Sequence, residues 1–332
     1  MNKTLIIAEA GDQHFGSTEN GKKMASLAKL AGADCIKFQH HLPDEEMLKD
    51  IPMSNNMKEP LYDFLKKNAY TIAQHAEVSK YCESIGIEYL CTPFSYKAAL
   101  ELKERTNLKR FKIGSGEMTD IPSLKKIAAI GLPMIISTGM STYEEIDETY
   151  NAIYPLVPEL YLTYCVSEYP PLYEDMNLMN IKTMIDRYPN AIIGHSDHTP
   201  DLYTSYAAVA LGAKIIEKHV ILDKRMPGPD QSVSIDFNDL YYLVDGIRKI
   251  EDSLGGKKEV HQNEQIIRDW AFRSVVSVVK IPKGELITEN MVWTKRPGTG
   301  IPSKEIGNVI GKVAKVDIPN NVLIKWEDLD NE

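Results

Sequence analysis

The sequence predicts an α/β fold: a barrel of eight parallel strands, each followed by a helix, and behind it a small, mainly β domain. Short β-branched runs alternate with longer segments of helical periodicity. The alternation occurs eight times before residue 256, after which alternating apolar residues and Gly- and Pro-containing turns replace the helical signal. Eight such units are typical of a (β/α)8, or TIM, barrel.

Each strand of the predicted barrel is a short apolar run that ends in polar residues. The runs are Leu5 to Glu9, Cys35 to Gln39, Glu88 to Thr92, Arg110 to Gly114, Met134 to Thr138, Tyr161 to Cys165, Ala191 to His195 and Lys214 to His219. The helices that follow them are Lys22 to Leu30, Ile72 to Ile85, Tyr96 to Arg105, Pro122 to Ile130, Tyr143 to Leu156, Met179 to Arg187, Leu202 to Leu211 and Phe237 to Leu254. An open doubly wound sheet usually has fewer units, and the first loop, GDQHFG, lacks its GxGxxG spacing.

The chain divides into a barrel domain over residues 1–256, a linker over 257–271 and a small domain over 272–332. The small domain has Pro-Lys-Gly and Pro-Asn-Asn turns between alternating apolar residues. A module of this size buries little core by itself, so we expect it to dock on the barrel or on a second subunit.

Composition excludes several classes of function. The 332 residues carry a formal net charge of -9, with 43% hydrophobic and 26% charged residues, which is typical of a folded globular chain. The negative charge disfavours a nucleic-acid or anionic-membrane surface. No apolar stretch approaches the roughly 20 residues of a membrane-spanning helix, and the amino-terminal run indicates a strand rather than a signal peptide. We therefore expect a cytoplasmic protein.

Polar residues at the carboxyl ends of barrel strands are the first candidates for chemistry. His198 and His219 follow adjacent strands, so their imidazoles can converge on one ion as neutral ligands. Two ligands leave open positions for substrate and water, which fits a catalytic Mn²⁺, Mg²⁺ or similar ion better than a structural zinc site. The alternative is that each histidine is a hydrogen-bonded residue of the barrel mouth.

Lys37 and Lys112 interrupt apolar runs, where an unpaired ammonium is strongly disfavoured. A bound anion would compensate both charges. Serine hydroxyls around the same mouth would complete a cradle for phosphate and carboxylate groups; they are Ser115, Ser137, Ser167 and Ser196. The alternative is an ion pair between a lysine and Glu9 or Glu217.

Three further charged residues lie in segments where they could contact a substrate. Glu117 follows the fourth strand, Asp230 lies in the MPGPDQS loop, and Arg296 lies in the stiff KRPGTG turn of the small domain. Asp230 also has a simpler interpretation as a solvated turn aspartate, and Arg296 as a surface arginine.

Two other functions remain open from the residues. A lysine-dependent aldolase of keto acids would keep the barrel and one buried lysine and form a Schiff base without metal, which the histidine pair argues against. A non-enzymatic carbohydrate-binding protein would use the small domain, with the barrel as scaffold, but a scaffold has no need of buried lysines.

Taken together, these motifs resemble the sialic acid synthase family, which includes the legionaminic and pseudaminic acid synthases. The resemblance covers nearly the whole chain. Its segments are IAEAG (7–11), GADCIKFQ (32–39), KIGSGE (112–117), ISTGM (136–140), EYPP (168–171), GHSDHT (194–199), EKH (217–219), GPD (228–230) and KRPGTGI (295–301).

The resemblance implies a TIM barrel followed by an antifreeze-like (SAF) domain, in a domain-swapped homodimer whose small domain closes the partner's active site. It also implies condensation of phosphoenolpyruvate with the open-chain aldehyde of an N-acylated mannose-type sugar. The implied metal ligands are His198 and His219. The implied phosphoenolpyruvate-binding residues are Lys37, Lys112, Ser115, Ser137, Ser167 and Ser196, the sugar-binding residues are Gln39, Tyr169, Asp230 and Arg296, and Glu117 is the general acid or base.

Three departures from the family pattern concern the acceptor sugar. The loop GDQHFG has Phe15 where the family often has a polar or acidic residue, Ser167 replaces the usual Thr or Asn, and His195 replaces an apolar or Tyr residue. The motifs EYP and GPD favour an N-acetylmannosamine-like or legionaminic-type acceptor over the pseudaminic type.

Overall fold

The computed structural model describes residues 3–52 and 59–330, and it confirms the predicted barrel. Eight parallel strands close in sequence order, with the first strand paired to both the second and the eighth. The strands are β1 Leu5–Gly11, β2 Cys35–His40, β3 Glu88–Pro93, β4 Phe111–Ile113, β5 Met134–Ser137, β6 Leu160–Cys165, β7 Ile192–Asp197 and β8 Ile215–His219.

Helices follow every strand, and their caps explain where they begin and end. The helices of the barrel unit are α1 Thr18–Ala31, α2 Pro43–Glu46, α3 Leu61–Asn68, α4 Ile72–Ile85, α5 Tyr96–Arg105, α6 Ile121–Ala128, α7 Tyr143–Ile153, α8 Asn180–Arg187, α9 Tyr203–Ala210 and α10 Phe237–Ser253. Thr71 and Thr142 each form a capping box that begins α4 and α7. Gly32 ends α1 with a left-handed φ of 89°, a conformation that suits glycine. The short helices α2 and α3 lie in the β2–β3 connection and were not among the predicted helices.

Strand register sets charged and hydroxyl-bearing side chains beside one another inside the barrel. Glu9 pairs laterally with Lys37 on one side and with His219 on the other, and Ser196 pairs with Glu217. Around them lie fully buried residues such as Ile6 and Ile36, which belong to one continuous core. Because all strands are parallel, the polar residues at their carboxyl ends meet at one mouth.

The second unit has its own core. The chain divides into Met1–Gly255 and Gly256–Glu332. The second unit contains α11 Gln262–Ala271, β9 Ser274–Ser277, β10 Val292–Lys295 and α12 Ile306–Val309, with β9 and β10 antiparallel. Buried apolar residues, among them Val275 and Ile324, form its core. The segment 257–271, expected to be a linker, therefore holds a ten-residue helix. The predicted limits at residues 1 and 332 lie outside the described residues.

Within residues 3–52 and 59–330, no helix has both the length and the apolar character needed to cross a bilayer.

Candidate active site

A network of four buried charges occupies the interior of the barrel near its carboxyl end. The ammonium of Lys37 lies 3.1 Å from Glu9 Oε2 and 3.3 Å from Glu217 Oε1. Lys112 lies 3.5 Å from the same Glu217 oxygen. Both lysines therefore have carboxylate neighbours, as the ion-pair interpretation of the sequence required.

The two lysines differ in how well these carboxylates compensate them. Burial lowers the pKa of Lys37, but Glu217 and Glu9 outweigh it, so that the pKa lies above its ordinary value. For Lys112, burial dominates, and the nearby Lys37 adds to it, so its pKa lies below the ordinary value despite Glu217. Of these two lysines, Lys112 is the one that an additional anion would stabilise more.

Hydroxyl groups surround the four charges. Lys112 donates to Ser137 Oγ at 2.6 Å, and Ser137 lies 2.9 Å from Thr163 Oγ1. Ser196 donates to Glu217 Oε1 at 3.1 Å. Ser137 and Ser196 are thereby placed beside the lysines, as the anion-cradle prediction requires.

The hydroxyl groups of Ser115 and Ser167 lie close to the backbone of Gly139, which has no side chain to displace them. The Gly139 N–H donates to Ser115 Oγ at 3.1 Å. A Cβ atom at Gly139 would lie 2.8 Å from Ser115 Oγ and closer still to Ser167 Oγ. These two hydroxyls and a glycine backbone thus form a second polar surface at the strand ends.

His198 and His219 lie side by side at the mouth. Their ring centroids are 5.1 Å apart at an interplanar angle of 72°. His198 Nδ1 lies 3.1 Å from the Val166 carbonyl oxygen, so it carries the proton and leaves Nε2 with a free lone pair. His219 Nδ1 is buried, makes no hydrogen bond and lies 3.5 Å from Asp230 Oδ2.

This arrangement suits an ion that takes most of its ligands from substrate and water. Among the described residues, no cluster of three or more His, Cys, Asp or Glu side chains could hold a metal ion. Two imidazoles with available nitrogens still leave several coordination positions open, which fits a catalytic divalent cation. Tyr169 covers the pair, with its ring 4.4 Å from that of His198.

A buried ion pair holds the backbone on either side of the two histidines. Lys218 lies 3.1 Å from Asp197 Oδ2, and both side chains are fully buried. Asp197 accepts from the Thr199 N–H at 2.8 Å, and Lys218 donates to the Thr199 carbonyl oxygen. The pair therefore ties the residue after His198 to the residue before His219.

We predict that Lys218→Met lowers the free energy of unfolding by about 3 kcal/mol, because it leaves the Asp197 carboxylate buried without its cation. Urea denaturation measures the change. Lys224→Met is the matched control, since Lys224 pairs with Asp239 at the surface and exposed pairs contribute little. A loss no larger than that of the control would show that the buried pair is not needed for stability.

Glu117 lies in a short 3-10 helix after β4. Its Oε2 is buried without a hydrogen-bond partner and would lie 2.5 Å from a Cβ at Gly114. Burial raises its pKa, although His41 and Lys112 oppose the rise. A carboxyl group with a raised pKa at a barrel mouth can hold and deliver a proton.

Gln39 links the charged interior to residues that the sequence analysis did not assign. Its Nε2 donates to Glu9 Oε1 at 2.7 Å, and its Oε1 lies 3.0 Å from His41 Nε2. On its other side, His41 Nδ1 lies 3.0 Å from Glu46 Oε1. His41 follows the end of β2 in the sequence, but Glu46 is in α2, and their contact could not be read from the sequence.

Arg296 belongs to the second unit. Its Nε donates to the Ala271 carbonyl oxygen at 3.1 Å, and its guanidinium lies 5.1 Å from the ring centroid of Trp270. The guanidinium is thus held at the end of α11.

Comparisons with known proteins identify the family of this chain. The chain matches the NeuB family over residues 24–259 and the SAF domain over residues 272–330. It is 35% identical over 338 residues to N,N'-diacetyllegionaminic acid synthase of Legionella pneumophila, covering 98% of this chain and 94% of that protein. It is 34% identical over 334 residues to N-acetylneuraminate-9-phosphate synthase of Homo sapiens, covering 98% and 93%.

A solved structure shows the same fold. The crystal structure of N-acetylneuraminic acid (sialic acid) synthetase from Leptospira borgpetersenii, in complex with citrate, superposes with a TM-score of 0.72 at 30% identity. The match covers 80% of this chain and 90% of that one.

Proposed function

Because this chain belongs to the NeuB family and carries a SAF domain, we propose that it is a nonulosonic acid synthase that condenses phosphoenolpyruvate with the open-chain aldehyde of an N-acylated mannose-type sugar. The products are a sialic-acid-like 2-keto acid and phosphate. The observation that carries the proposal is the convergence of a buried, poorly compensated lysine, Lys112, and the His198–His219 pair on the carboxyl ends of one barrel.

In this proposal, phosphoenolpyruvate binds at the lysine side of the mouth. Its phosphate and carboxylate groups would contact Lys112 and Lys37, with hydroxyl donors from the four serines of the cradle. The acceptor binds next to it, with Gln39, Tyr169 and Asp230 around its hydroxyl groups and Arg296, from the other subunit of a dimer, at its N-acyl group.

His198 and His219 would hold a divalent ion, and Mn²⁺ is our first candidate, followed by Mg²⁺ and Co²⁺. When bound, it would polarise the aldehyde of the sugar. The protein holds the imidazoles for this purpose through the Val166 carbonyl group and the Asp197–Lys218 pair.

The chemistry assigned to the protein's own residues is positioning and proton transfer. The enol carbon C3 of phosphoenolpyruvate forms a bond to the aldehyde carbon, and cationic character develops at C2. Water adds at C2 with loss of one proton, which returns to Glu117. The tetrahedral carbon then expels phosphate by cleavage of the bond between C2 and the phosphate oxygen, and the proton of its hydroxyl group leaves with the phosphate to form the keto group. Glu117 would supply the proton taken up by the aldehyde oxygen, and the Glu217 carboxylate, close to both lysines, would stabilise the cationic carbon.

Phosphate release tests the proposal. We expect release from phosphoenolpyruvate when N-acetylmannosamine or 2,4-diacetamido-2,4,6-trideoxymannose is present, and its loss when EDTA removes the metal. Phosphate release in the absence of any aldose, or no release with any of the aldoses, would refute the proposal that the protein is a synthase.

A lysine-dependent aldolase is the second candidate, because the lowered pKa of Lys112 also suits Schiff-base formation. Borohydride reduction in the presence of a keto acid separates the two. A stable adduct on Lys112, with activity unaffected by EDTA, would favour the aldolase.

We predict that Gly139→Ala lowers kcat/KM for phosphoenolpyruvate by about 100-fold, because the new methyl group displaces the hydroxyls of Ser115 and Ser167. Gly116→Ala is the control, since a Cβ there has no neighbour within 4 Å. Steady-state kinetics and far-UV circular dichroism measure activity and folding. Equal activity of the two variants would show that Ser115 and Ser167 do not contribute to anion binding.

We also propose a homodimer, supported by the apolar face of α11. Ile266 is 73% exposed and Trp270 is 55% exposed, and no residue of this helix is buried. Such a face is typically covered by another chain. We predict that Ile266→Glu shifts the protein from dimer to monomer in sedimentation velocity, whereas Asn263→Glu on the same helix does not. A dimer unaffected by Ile266→Glu would exclude this face from the interface.

A further inference from the structure

Four polar side chains extend the candidate active site beyond Gln39, and we call them the distal cluster: Asp12, Gln13, His41 and Glu46. Asp12 and Gln13 follow β1, whereas His41 and Glu46 follow β2. His41 Nε2 lies 3.6 Å from Asp12 Oδ2, and its Nδ1 lies 3.0 Å from Glu46 Oε1. All four residues are at least partly buried at the mouth of the barrel, and Gln13 is only 1% exposed.

Hydrogen-bond directions give the charge of His41. The Glu9 carboxylate accepts from Gln39 Nε2, so the amide oxygen of Gln39 faces His41 and can only accept. The carboxylate of Glu46 likewise accepts on the other side of the ring. Both ring nitrogens of His41 are therefore donors, which makes it an imidazolium. Burial opposes this charge, but Glu46 and Asp12 outweigh burial and raise the pKa of His41.

The distal cluster nevertheless has more negative than positive charge. The cluster contains one imidazolium, that of His41, and two carboxylates, those of Asp12 and Glu46. The carboxylates of Asp230 and Glu9 lie next to it. Burial, together with those three neighbouring carboxylates, raises the pKa of Asp12 to about 6, although His41 opposes the rise. Like charges are thus already crowded before any ligand binds.

The cluster also contains buried groups that lack hydrogen-bond partners. Asp12 Oδ1 and both amide atoms of Gln13 are buried and make no hydrogen bond. The Gln13 amide packs against Gly228, where a Cβ would lie 2.8 Å from its Nε2. Gly228 is two residues from Asp230, so the amide faces the loop proposed to hold the sugar. Buried polar groups are normally satisfied, and hydroxyl or amide groups of a ligand could satisfy these.

A continuous series of polar side chains connects the histidine pair to the distal cluster. Asp230 Oδ2 lies 3.5 Å from His219 Nδ1. The same oxygen and Gln39 Nε2 would lie 3.1 and 3.6 Å from a Cβ at Gly11, so Asp230 and Gln39 flank that glycine. From Gln39 the series continues to His41 at 3.0 Å. A sugar with its aldehyde at the histidines can extend its remaining carbons along this series.

We propose that the distal cluster binds the end of the acceptor remote from its aldehyde, and that it accepts a neutral end with hydroxyl or acylamino groups and excludes a phosphorylated one. The inference rests on the proposed function and names the substrate class of the same site. A phosphate dianion would face Asp12 and Glu46, and among the residues that the structure describes the cation in contact with both carboxylates is His41. Such a dianion also cannot donate the hydrogen bonds that Asp12 Oδ1 lacks.

Steady-state kinetics with three aldoses test the inference: N-acetylmannosamine, its 6-phosphate, and 2,4-diacetamido-2,4,6-trideoxymannose. We expect kcat/KM for at least one neutral aldose to exceed that for the 6-phosphate by about 30-fold or more. If kcat/KM for the 6-phosphate equals or exceeds that for both neutral aldoses, the inference is wrong, but the proposal that the protein is a synthase is not affected. If no aldose releases phosphate, the synthase itself is wrong, and the inference falls with it.

Two variants locate the discrimination. Glu46→Gln and Asp12→Asn each remove one carboxylate, so each should narrow the preference for the neutral aldose by about tenfold. Glu45→Gln is the matched control, because the Glu45 side chain is adjacent in α2 but 44% exposed, whereas that of Glu46 is 5% exposed. An unchanged preference in both cluster variants would place the discrimination elsewhere and overturn the inference.

Discussion

Replacing His198 or His219 with asparagine is expected to abolish detectable Mn²⁺ binding at the site and to lower kcat/KM by about 1,000-fold or more. The two rings lie 5.1 Å apart, and the described residues offer no cluster of three metal-binding side chains that could take over. Losing one imidazole leaves a single protein ligand, which cannot retain a divalent cation against water.

Metal binding is measured independently of activity, by titration of Mn²⁺ followed by electron paramagnetic resonance. His261→Asn is the control, because His261 is exposed at the N-cap of α11, where asparagine is well tolerated. If His198→Asn and His219→Asn bound Mn²⁺ like the control, the histidines would be hydrogen-bonded residues of the mouth, the alternative that the sequence left open.

The second large effect is expected at Glu117. The glutamine of Glu117→Gln is uncharged and similar in size to the protonated glutamate, but its amide cannot release a proton. We therefore expect kcat to fall by about 100- to 10,000-fold. The fall should exceed any change in KM for either substrate, because the group would act in the transition state. A turnover within about threefold of the unmodified protein would make the assignment wrong.

The pH dependence gives a second measurement at the same residue. Burial raises the pKa of Glu117, so its acid form persists to higher pH than that of an exposed glutamate. If the protonated form is required, kcat declines as the pH rises through this raised pKa. The declining limb should be absent from the residual activity of Glu117→Gln, and its persistence there would assign it to another group.

The fold was predictable because its signals are local and repeated. Short apolar runs that end in polar residues mark the strands, and parallel closure then brings every carboxyl end to one mouth. The position of each residue within the repeat is enough to predict that His198, His219 and Lys112 lie at the same end of the barrel. This prediction requires no knowledge of which side chains contact each other.

Pairwise contacts and short helices were not predictable in the same way. Glu217 proves to be the common carboxylate partner of Lys37 and Lys112, but a strand sequence does not reveal which interior neighbours share an oxygen. The pairing of His41 with Glu46 depends on the path of the chain into α2, a four-residue helix too short to give a periodic signal.

The helix α11 shows a different kind of failure. Its segment follows a Gly-Gly-Lys-Lys sequence and is rich in polar residues, which favoured a linker. The structure shows a capping box at its start, in which Glu264 accepts from the His261 N–H at 3.0 Å. Propensity in so short and exposed a segment is a weak signal, and the apolar face formed by Ile266 and Trp270 becomes visible only once the helix is established.

We propose that this protein joins phosphoenolpyruvate to an N-acylated aldose with loss of phosphate. The most direct test is a mass balance on one reaction: phosphoenolpyruvate consumed, phosphate released and 2-keto acid formed, the last identified by mass spectrometry. We expect equal amounts of all three, and a product whose mass equals that of the aldose plus that of one molecule of pyruvic acid. Phosphate released together with free pyruvate, and no condensed product, would contradict it.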